Sequence, residues 1–540
     1  PRVLLPGHGF LEERSMVARV EPSAVKDMLS DGREIAFFDV RDGGEFGDGH
    51  PFFAVSVPYS VFEVRVVDVA PVPSVRMVLY DNDDGIAELA AARAEALGYT
   101  DVAIMAGGAA GWAAAGFTLY KGENVPTKTF GEILEIEHHT PNLTSEEVVA
   151  LTRENPNHII VDSRPYGEYH AFNIPGGICC PNGESPLRIG ELVPDPETTI
   201  IVNCAGRTRS ILGAETLRAF GVPNPVYALQ NGTQGWFLAG LKREEGATRS
   251  YPEAPKSPEK LAVLQARAKA RAEKTGLQFI EPEQAAAWLA DTDRTTYLID
   301  VRSDEEFEAD GLPGSRHALG GQLVQAVDLW VGVRGGRIVI MDNEMVRAPM
   351  MANWIHQIGH DVYVLNGGVD AMRGVAIPQA PAFDAEPVAG IAAAAITGDM
   401  QLVDLRSPRD YRAGHIDGAV WSIRPRLARL GLSADKPVVL IASDNAVASL
   451  AAQRLAELGL SNVRQLSAST AEWEAAGLKT VSVTTDPADD ETINVVYHWQ
   501  HRNNPNGGTA EAAHAYLDWE IGLVDQLDEQ ERGSFRLAAL

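Results

Sequence analysis

The sequence predicts an α/β protein made of four tandem doubly wound parallel-sheet domains, arranged as two pairs and followed by a partly helical C-terminal tail. Short apolar runs alternate with amphipathic helical patterns, which is typical of a parallel sheet covered by helices on both faces. A motif also repeats along the chain. The triplet Asp-x-Arg follows an apolar run four times, at residues 39–41, 162–164, 300–302 and 404–406.

Each copy continues in the same order after its Asp-x-Arg triplet. An acidic and an aromatic residue come next, as the pairs Glu45 and Phe46, Glu168 and Tyr169, Glu306 and Phe307, and Asp410 and Tyr411. A second apolar run and an alanine-rich helical pattern follow, and the pattern ends at Gly98, Gly221, Gly359 and Gly459. Three copies then carry a turn pair, namely Gly107 and Gly108, Asn231 and Gly232, and Gly367 and Gly368. The internal pattern alone indicates four homologous units.

Each unit is about 100 residues long, a size suited to one α/β domain. The predicted domains cover residues 16–121, 140–245, 277–377 and 385–483. Residues 246–276 are predicted as an interdomain linker, because 256–275 form a basic helical pattern that separates two tandem pairs. The tail covers 486–540, with a helical pattern from Thr509 to Leu527. Residues 1–15 precede the first patterned segment and are predicted to be either a non-native addition or a disordered lead.

Composition excludes several classes of partner. A net charge of -28 argues against nucleic acid and against an anionic membrane surface, because both would repel the chain. No apolar stretch approaches the roughly 18 residues of a membrane span, and no signal peptide is visible. Three cysteines, at positions 179, 180 and 204, are too few for a disulfide framework. A reducing cytoplasm is therefore the predicted location.

The run IIVNCAGRTRSILGAETL at residues 200–217 predicts a cysteine nucleophile at Cys204. The thiol lies between a buried strand and a helix N-terminus, where unpaired backbone N–H groups and the helix dipole favour a thiolate. Arg207 and Arg209 add positive charge that is expected to lower the thiol pKa and to hold an anionic substrate. Cys204 is therefore the predicted catalytic residue of the second domain.

Alignment of the copies places Asp81, Asp342 and Ala442 at the positions that correspond to Cys204. The loops that begin at Asp81 and Asp342 are mostly acidic, so a carboxylate is expected to cap the helix where an anion would otherwise bind. In the fourth copy, Ser443 and Asp444 are candidate helix caps. The first, third and fourth domains are therefore predicted to be inactive.

Four features of the second copy occur together: Asp162 to Arg164 with Glu168 and Tyr169, the segment Asn173 to Gly177, the CAGRTR loop and the ending from Asn231 to Trp236. With these features, the second copy resembles the rhodanese-like sulfurtransferase family. The resemblance extends, with altered loops, to the other three copies. The resemblance implies a cysteine that cycles between thiolate and persulfide, with no metal or organic cofactor.

The resemblance also implies the reaction and its partners. A small anionic sulfur donor such as thiosulfate would give its outer sulfur to Cys204, and a thiol, cyanide or a protein sulfur acceptor would remove it. The implied substrate-binding residues are Ala205, Gly206, Arg207, Thr208, Arg209 and Ser210. In the family, a loop of six residues, as from Cys204 to Arg209, fits sulfur, whereas a loop longer by one residue accompanies phosphatase activity.

Cys179, Cys180, Asn182 and Glu184 follow the Pro-Gly-Gly segment, which in rhodanese-like domains runs close to the active-site loop. Either cysteine could resolve the persulfide or pair with Cys204, or both could simply pack beside the sheet. Asn182 and Glu184 are candidates for the pocket rim. His498, His501 and His514 lack a carboxylate or thiol at ligand spacing, so no metal site is predicted.

Two other functions remain open at this point. The chain could be a scaffold or redox-sensing protein whose rhodanese-like domains bind a partner. Less favoured is an arsenate reductase or phosphatase that uses the same thiolate and arginines.

Overall fold

The computed structural model describes residues 17–378, 382–488 and 509–539, so the predicted lead at 1–15 lies outside the described residues. The chain divides into two compact units. One unit holds the first and fourth domains, and the other holds the second and third domains with the tail. Two pairs are thus present, but the predicted pairing of neighbours along the chain, first with second and third with fourth, is wrong.

Buried contacts explain this pairing. In one unit the Arg424 guanidinium donates to both carboxylate oxygens of Glu63, at 2.6 and 2.7 Å. In the other unit the indole of Trp354 donates to the hydroxyl of Thr216 at 2.8 Å, and Arg347 donates to Glu184 at 2.9 Å. Domain pairing follows these complementary faces, which lie far apart in sequence.

In the first three domains the parallel sheets have one strand order. The first strand of the domain pairs with the strand before the turn pair, which pairs with the strand before the Cys204-equivalent position. The strand before the Cys204-equivalent position pairs on its other side with the strand that ends in the Asp of Asp-x-Arg. A short strand pairs with this last strand at the edge of the sheet. In the fourth domain a single parallel bridge between Gly390 and Gln465 lies at the position of the first strand.

The strands of the first unit are Ala18–Val20, Ile35–Asp39, Val55–Ser56, Met77–Tyr80, Val102–Met105, Gln401–Asp404, His415–Ile416, Val420–Trp421, Val438–Ala442, Val463–Ser467 and Thr480–Val481. Those of the second unit are Asn142–Leu143, His158–Asp162, Ile178–Cys179, Thr199–Asn203, Val226–Leu229, Gln278–Ile280, Thr296–Asp300, Arg316–His317, Val333–Arg334, Arg337–Met341 and Asp361–Leu365.

The helices of the first unit are Pro22–Met28, Gly43–Asp48, Phe62–Val69, Ile86–Ala96, Gly108–Ala114, Pro408–Ala413, Asn445–Glu457 and Thr470–Ala475, with 3-10 turns at Tyr59–Val61, Ala393–Ala395 and Arg424–Leu430. Those of the second unit are Val125–His138, Ser145–Glu154, Tyr166–Ala171, Ser185–Leu192, Thr208–Ala219, Gly232–Leu238, Pro258–Lys274, Pro282–Leu289, Asp304–Asp310, Gly320–Gln325, Arg347–Ile358, Gly368–Ala371, Ala510–Ile521 and Glu529–Arg532, with 3-10 turns at Val327–Leu329 and Val524–Gln526.

The Asp-x-Arg triplet forms a buried ion pair in every domain. In the second domain, Arg164 Nε and Nη2 donate to the two carboxylate oxygens of Asp162 at 2.9 and 2.7 Å. The same two-bond geometry joins Asp39 to Arg41, Asp300 to Arg302, and Asp404 to Arg406. These pairs hold the strand end to the segment after it, so their role is structural.

The register of the sheets confirms the alignment of the four Cys204-equivalent positions. Asp162 pairs with Asn203, the residue immediately before Cys204. Asp39 pairs with Tyr80, Asp300 with Met341, and Asp404 with Ile441. The next residue in each case is Asp81, Asp342 or Ala442.

Removing one member of a buried Asp-x-Arg pair should be costly. We expect Arg302→Ala to destabilise the third domain by about 3–5 kcal/mol, because the Asp300 carboxylate stays buried without its partner. Arg373→Ala in the same domain removes an exposed guanidinium that pairs with Asp310 and Asp370, and should cost less than about 1 kcal/mol. Urea unfolding, with hydrogen exchange of the Thr296–Asp300 strand, measures the loss of stability in both variants. Equal losses of unfolding free energy in Arg302→Ala and Arg373→Ala would contradict the structural role of the buried pair.

Candidate active site

Cys204 lies at the carboxyl end of a central strand of the second domain. The strand Thr199–Asn203 is buried along its whole length, and the helix Thr208–Ala219 begins four residues after Cys204. The turn pair of the repeat reaches this loop, because the amide of Thr233 donates to the Cys204 carbonyl at 2.8 Å. At Gly232, whose φ is +52°, a Cβ atom would lie 2.3 Å from that carbonyl oxygen. Glycine is therefore required there by both backbone conformation and space.

Side chains from neighbouring segments fix the far end of the loop. The Asn182 amide donates to the Arg209 carbonyl at 2.9 Å, and the Ser210 hydroxyl donates to the Arg207 carbonyl at 2.8 Å. Ser163 Oγ donates to the Asn203 carbonyl at 2.8 Å. Asn182, predicted at the pocket rim, thus supports the loop from behind.

The loop presents a row of backbone donors. Among the described residues, no acceptor pairs with the backbone N–H groups of Ala205, Gly206, Arg207, Thr208 and Arg209. The amides of Ser210 and Ile211 are already used within the first helical turn, since both donate to the Arg207 carbonyl at 3.1 Å. Unpaired amides at a helix start, together with the helix dipole, form a site for an anion or a thiolate.

The Cys204 thiol is almost fully buried, with 2% of its surface exposed. Burial raises its pKa above the ordinary value for cysteine, since desolvation disfavours the thiolate. The Arg209 charge and hydrogen bonds with Ser210 act in the opposite direction, whereas the Glu520 carboxylate adds to the rise. The expected lowering of the pKa is therefore not found in this arrangement, because desolvation outweighs the positive charge.

The two loop arginines have different surroundings. Arg209 donates through Nη1 and Nη2 to the two carboxylate oxygens of Glu168, at 2.7 and 2.9 Å, and its charge acts on the thiol. Arg207 turns instead to the helix Val125–His138. Its Nε and Nη2 each donate to Glu132 at 2.8 Å, and Nη2 also pairs with Glu135. The Arg207 guanidinium thus holds the loop against this helix, a contact the sequence did not reveal.

The structure places Cys179 and Cys180 in packed surroundings. Cys180 belongs to the core cluster around Val161 and Val202, and Cys179 packs with Tyr169 and Ala247. Burial raises the pKa of Cys179 to about 12 and that of Cys180 well above its usual range. All three cysteines are free thiols.

Glu184, the other predicted rim residue, accepts from Arg188 at 3.0 Å and from Arg347 at 2.9 Å. It therefore links the second domain to the third. The described residues contain no group of three or more His, Cys, Asp or Glu side chains that could hold a metal ion. His498 and His501 lie outside the described residues.

The C-terminal tail covers the Cys204 loop. The sequence had indicated only a helical pattern in the tail, with no sign of this contact. Tyr516 and Glu520 of the helix Ala510–Ile521 approach Gly206 so closely that a Cβ there would lie 2.9 Å from the tyrosine ring and 3.2 Å from the carboxylate. The Glu520 carboxylate accepts hydrogen bonds from Thr208 at 2.5 Å and from Lys128 at 3.2 Å.

The equivalent loops of two other domains carry a carboxylate in place of the thiol. Asp342 accepts from the amides of Val346 and Arg347 through one oxygen and from Ala348 through the other, at 3.1 to 3.2 Å. Asp81 accepts from the amides of Asp83 at 2.8 Å and Ala87 at 2.9 Å. Each carboxylate caps the helix start, as the sequence predicted.

Comparison with known proteins identifies the family. The model of the rhodanese-like domain matches residues 21–115, 144–239, 281–374 and 389–476, together more than half of the chain. The chain belongs to the rhodanese-like family. This rhodanese-like protein has four copies of the domain, and among its described residues no helix is both long and apolar enough to cross a membrane.

Two relatives are informative. The crystal structure of a thiosulfate sulfurtransferase from Pseudomonas aeruginosa is 38% identical and superimposes with a TM-score of 0.85, covering 97% of this chain and 100% of that one. An HTH-type transcriptional regulator of Mycobacterium tuberculosis is 36% identical over 96 residues, which are 18% of this chain and 41% of the regulator. This chain therefore spans less than half the length of that curated relative.

The titration of Cys204 provides a test of this electrostatic arrangement. The thiolate fraction of Cys204 increases as the pH approaches the thiol pKa. Because this pKa is raised, the increase occurs at higher pH than for an ordinary cysteine. We expect the rate of Cys204 alkylation by iodoacetamide to increase about tenfold per pH unit up to and beyond about pH 8.5, the ordinary thiol pKa. Arg209→Met should slow alkylation at pH 8 a further 3- to 10-fold, on the order of half to one pKa unit.

Peptide mass spectrometry assigns the label to Cys204, and Cys204→Ala serves as the blank. Arg153→Met, which removes an exposed arginine from the same domain, is the matched control and should not change the rate. A plateau below pH 8, or equal rates in Arg209→Met and the native protein, would show that burial and Arg209 do not govern this thiol.

Proposed function

We propose that this protein is a sulfurtransferase that carries sulfane sulfur as a persulfide on Cys204. The observation that carries the proposal is the position of the thiol at the start of a loop whose backbone N–H groups, from Ala205 to Arg209, lack acceptors among the described residues. The 38% identical neighbour that aligns over nearly the whole chain is a thiosulfate sulfurtransferase, which supports the same class of reaction.

The proposed reaction has two displacements. The Cys204 thiolate attacks the outer sulfur of thiosulfate, a new S–S bond forms, and the old S–S bond breaks with its electron pair leaving on sulfite. An acceptor thiolate or cyanide then attacks the outer sulfur of the persulfide, which returns the Cys204 thiolate. No external oxidant is needed, because the sulfur is transferred at an unchanged oxidation level.

The loop residues have separate tasks in this proposal. The backbone N–H groups of Ala205, Gly206, Arg207, Thr208 and Arg209 stabilise the terminal sulfur and the developing charge, while Ser210 acts to lower the pKa of the Cys204 thiol. Arg209, oriented by Glu168, supplies the nearby positive charge. Arg207 contributes its amide, and its guanidinium keeps the loop in place through Glu132.

The other three domains are proposed to be non-catalytic. Asp81 and Asp342 place a carboxylate where the sulfur would be, and Ala442 offers no nucleophile. The three free thiols suit a reducing cytoplasm, which is the proposed location. The donor is a small sulfur anion, and the acceptor is a low-molecular-weight thiol, cyanide or a protein thiol.

Direct detection of the persulfide tests the proposal. After incubation with thiosulfate, the intact protein should gain the mass of one sulfur atom, and Cys204→Ala should gain none. Addition of cyanide should remove the extra mass and release thiocyanate in equal amount. Steady-state rates with thiosulfate should exceed those with mercaptopyruvate.

Each alternative function has its own outcome in the same experiment. Hydrolysis of an aryl phosphate or reduction of arsenate, without sulfur uptake, would replace the proposal with the phosphatase or arsenate reductase activity. Absence of both sulfur uptake and hydrolysis, with reversible oxidation of Cys204, would favour a redox-sensing scaffold.

A further inference from the structure

The tail helix places a carboxylate against the anion-binding loop. Glu520 is fully buried, and its Oε1 accepts from the Thr208 hydroxyl and from the Lys128 ammonium. Its Oε2 is also buried but has no hydrogen-bond partner among the described residues, and it lies against Gly206. A buried carboxylate oxygen without a partner is costly, so its position beside unpaired loop amides needs an explanation.

The surroundings of the Glu520 carboxylate favour its ionised form. Desolvation raises its pKa, but the Lys128 charge and the hydrogen bonds from Thr208 and Lys128 outweigh it, so the pKa lies below the usual glutamate value. The Lys128 ammonium is itself buried, with 3% exposed, and also contacts the Tyr516 hydroxyl. A negative group is therefore held among a lysine, a threonine hydroxyl and the loop that surrounds the Cys204 thiol.

Lys128 reaches this position because its helix approaches the loop closely. A Cβ at Gly131, one turn beyond Lys128, would lie 3.0 Å from the Thr208 methyl group. Residues three apart share one helix face, so Gly131 allows contact and Lys128 extends from the same face toward the site. Arg207, paired with Glu132 of this helix, holds the loop to it.

We propose that Lys128 and Thr208 bind the anionic part of the sulfur donor, and that the Glu520 carboxylate occupies this place when the tail helix is seated. This proposal rests on the proposed function and adds a donor subsite and its internal competitor. A sulfonate or sulfite oxygen takes the position of Glu520 Oε1, where it accepts from the ammonium and hydroxyl. Entry of the donor requires local displacement of Glu520 and Tyr516 from above Gly206.

The seated helix lowers reactivity in two ways. Tyr516 and Glu520 cover the loop at Gly206, and Cys204 is only 2% exposed. The Glu520 charge also raises the thiol pKa. An anionic donor that displaces the carboxylate therefore removes the cover, and the same event frees the positive groups that bind that donor.

The tail has further anchors that do not depend on Glu520. The Arg536 amide donates to the Gln357 carbonyl at 2.8 Å, and the Phe535 ring stacks on Phe130 with centroids 5.8 Å apart. Leu523 is fully buried. Neutralising Glu520 should therefore loosen the helix at the loop while leaving the tail attached.

Two alkylating reagents of similar size test this subsite without requiring sulfur transfer. Iodoacetamide is neutral and iodoacetate is an anion, so their rate ratio at Cys204 reports the local anion site. In Glu520→Gln both rates should rise, and the iodoacetate to iodoacetamide ratio should increase at least about tenfold, equivalent to about 1.4 kcal/mol. Glu511→Gln, the same substitution at an exposed position of the same helix, should leave both rates unchanged.

Adding Lys128→Met to Glu520→Gln should return the ratio toward the native value, because the positive group is gone. Lys269→Met, at an exposed site on another helix of the same unit, is the matched control for that change. If Lys128→Met does not fold, Thr208→Val in the Glu520→Gln background measures the same subsite through its hydroxyl. An unchanged ratio in Glu520→Gln, or a ratio insensitive to both Lys128 and Thr208, overturns the proposal.

Kinetics with thiosulfate separates this proposal from the proposed function. Glu520→Gln should lower the KM for thiosulfate about 3- to 10-fold with a smaller change in kcat, and the double variant should raise KM again. If no persulfide forms in any variant while the alkylation ratios change as expected, the sulfurtransferase proposal fails and the anion subsite stands. If persulfide forms normally but neither ratio nor KM responds, Glu520 and Lys128 are a structural ion pair only.

Discussion

The active-site loop depends on one physical constraint, which is that backbone N–H groups between a buried strand and a helix start must find a negative partner. The domains meet this need in different ways. Asp342 supplies a carboxylate to three amides in the third domain, and Asp81 supplies one to two amides in the first. In the second domain Cys204 occupies the position, and the loop amides from Ala205 to Arg209 have no acceptor among the described residues. The same backbone geometry therefore forms a helix start capped by a carboxylate or a loop of open amides beside a thiol, depending on one side chain.

Burial of the Cys204 site strengthens its attraction for an anion but also disfavours ionisation of the thiol. A dry loop increases every electrostatic interaction with a bound anion, but it also raises the cost of ionising the thiol. Arg209 and Ser210 offset part of this cost, and Glu168 holds Arg209 through two hydrogen bonds. Because Glu520 acts against ionisation of the thiol, the proposed displacement of the tail helix would change the exposure of Cys204 and the charge beside it together.

Much of the fold follows from local patterns that repeat. The Asp-x-Arg triplet requires only two residues at the end of a buried strand, so its bidentate pair forms in all four domains. The turn pair is equally local, since Gly232 needs a positive φ and space against the Cys204 carbonyl. Sheet register then aligns Cys204 with Asp81, Asp342 and Ala442, as the sequence alignment predicted.

The sequence by itself determined the four repeats, the family and the place of Cys204 between a buried strand and a helix, because these depend on neighbouring residues and on periodic burial. Only the tertiary structure decided the domain pairing, the turn of Arg207 toward Glu132, and the seating of Glu520 on the loop. Thr208 and Glu520 are 312 residues apart, and their contact arises from complementary surfaces that no local spacing encodes. The pKa of the Cys204 thiol was also decided by the tertiary structure, because its desolvation depends on all the groups packed around Cys204.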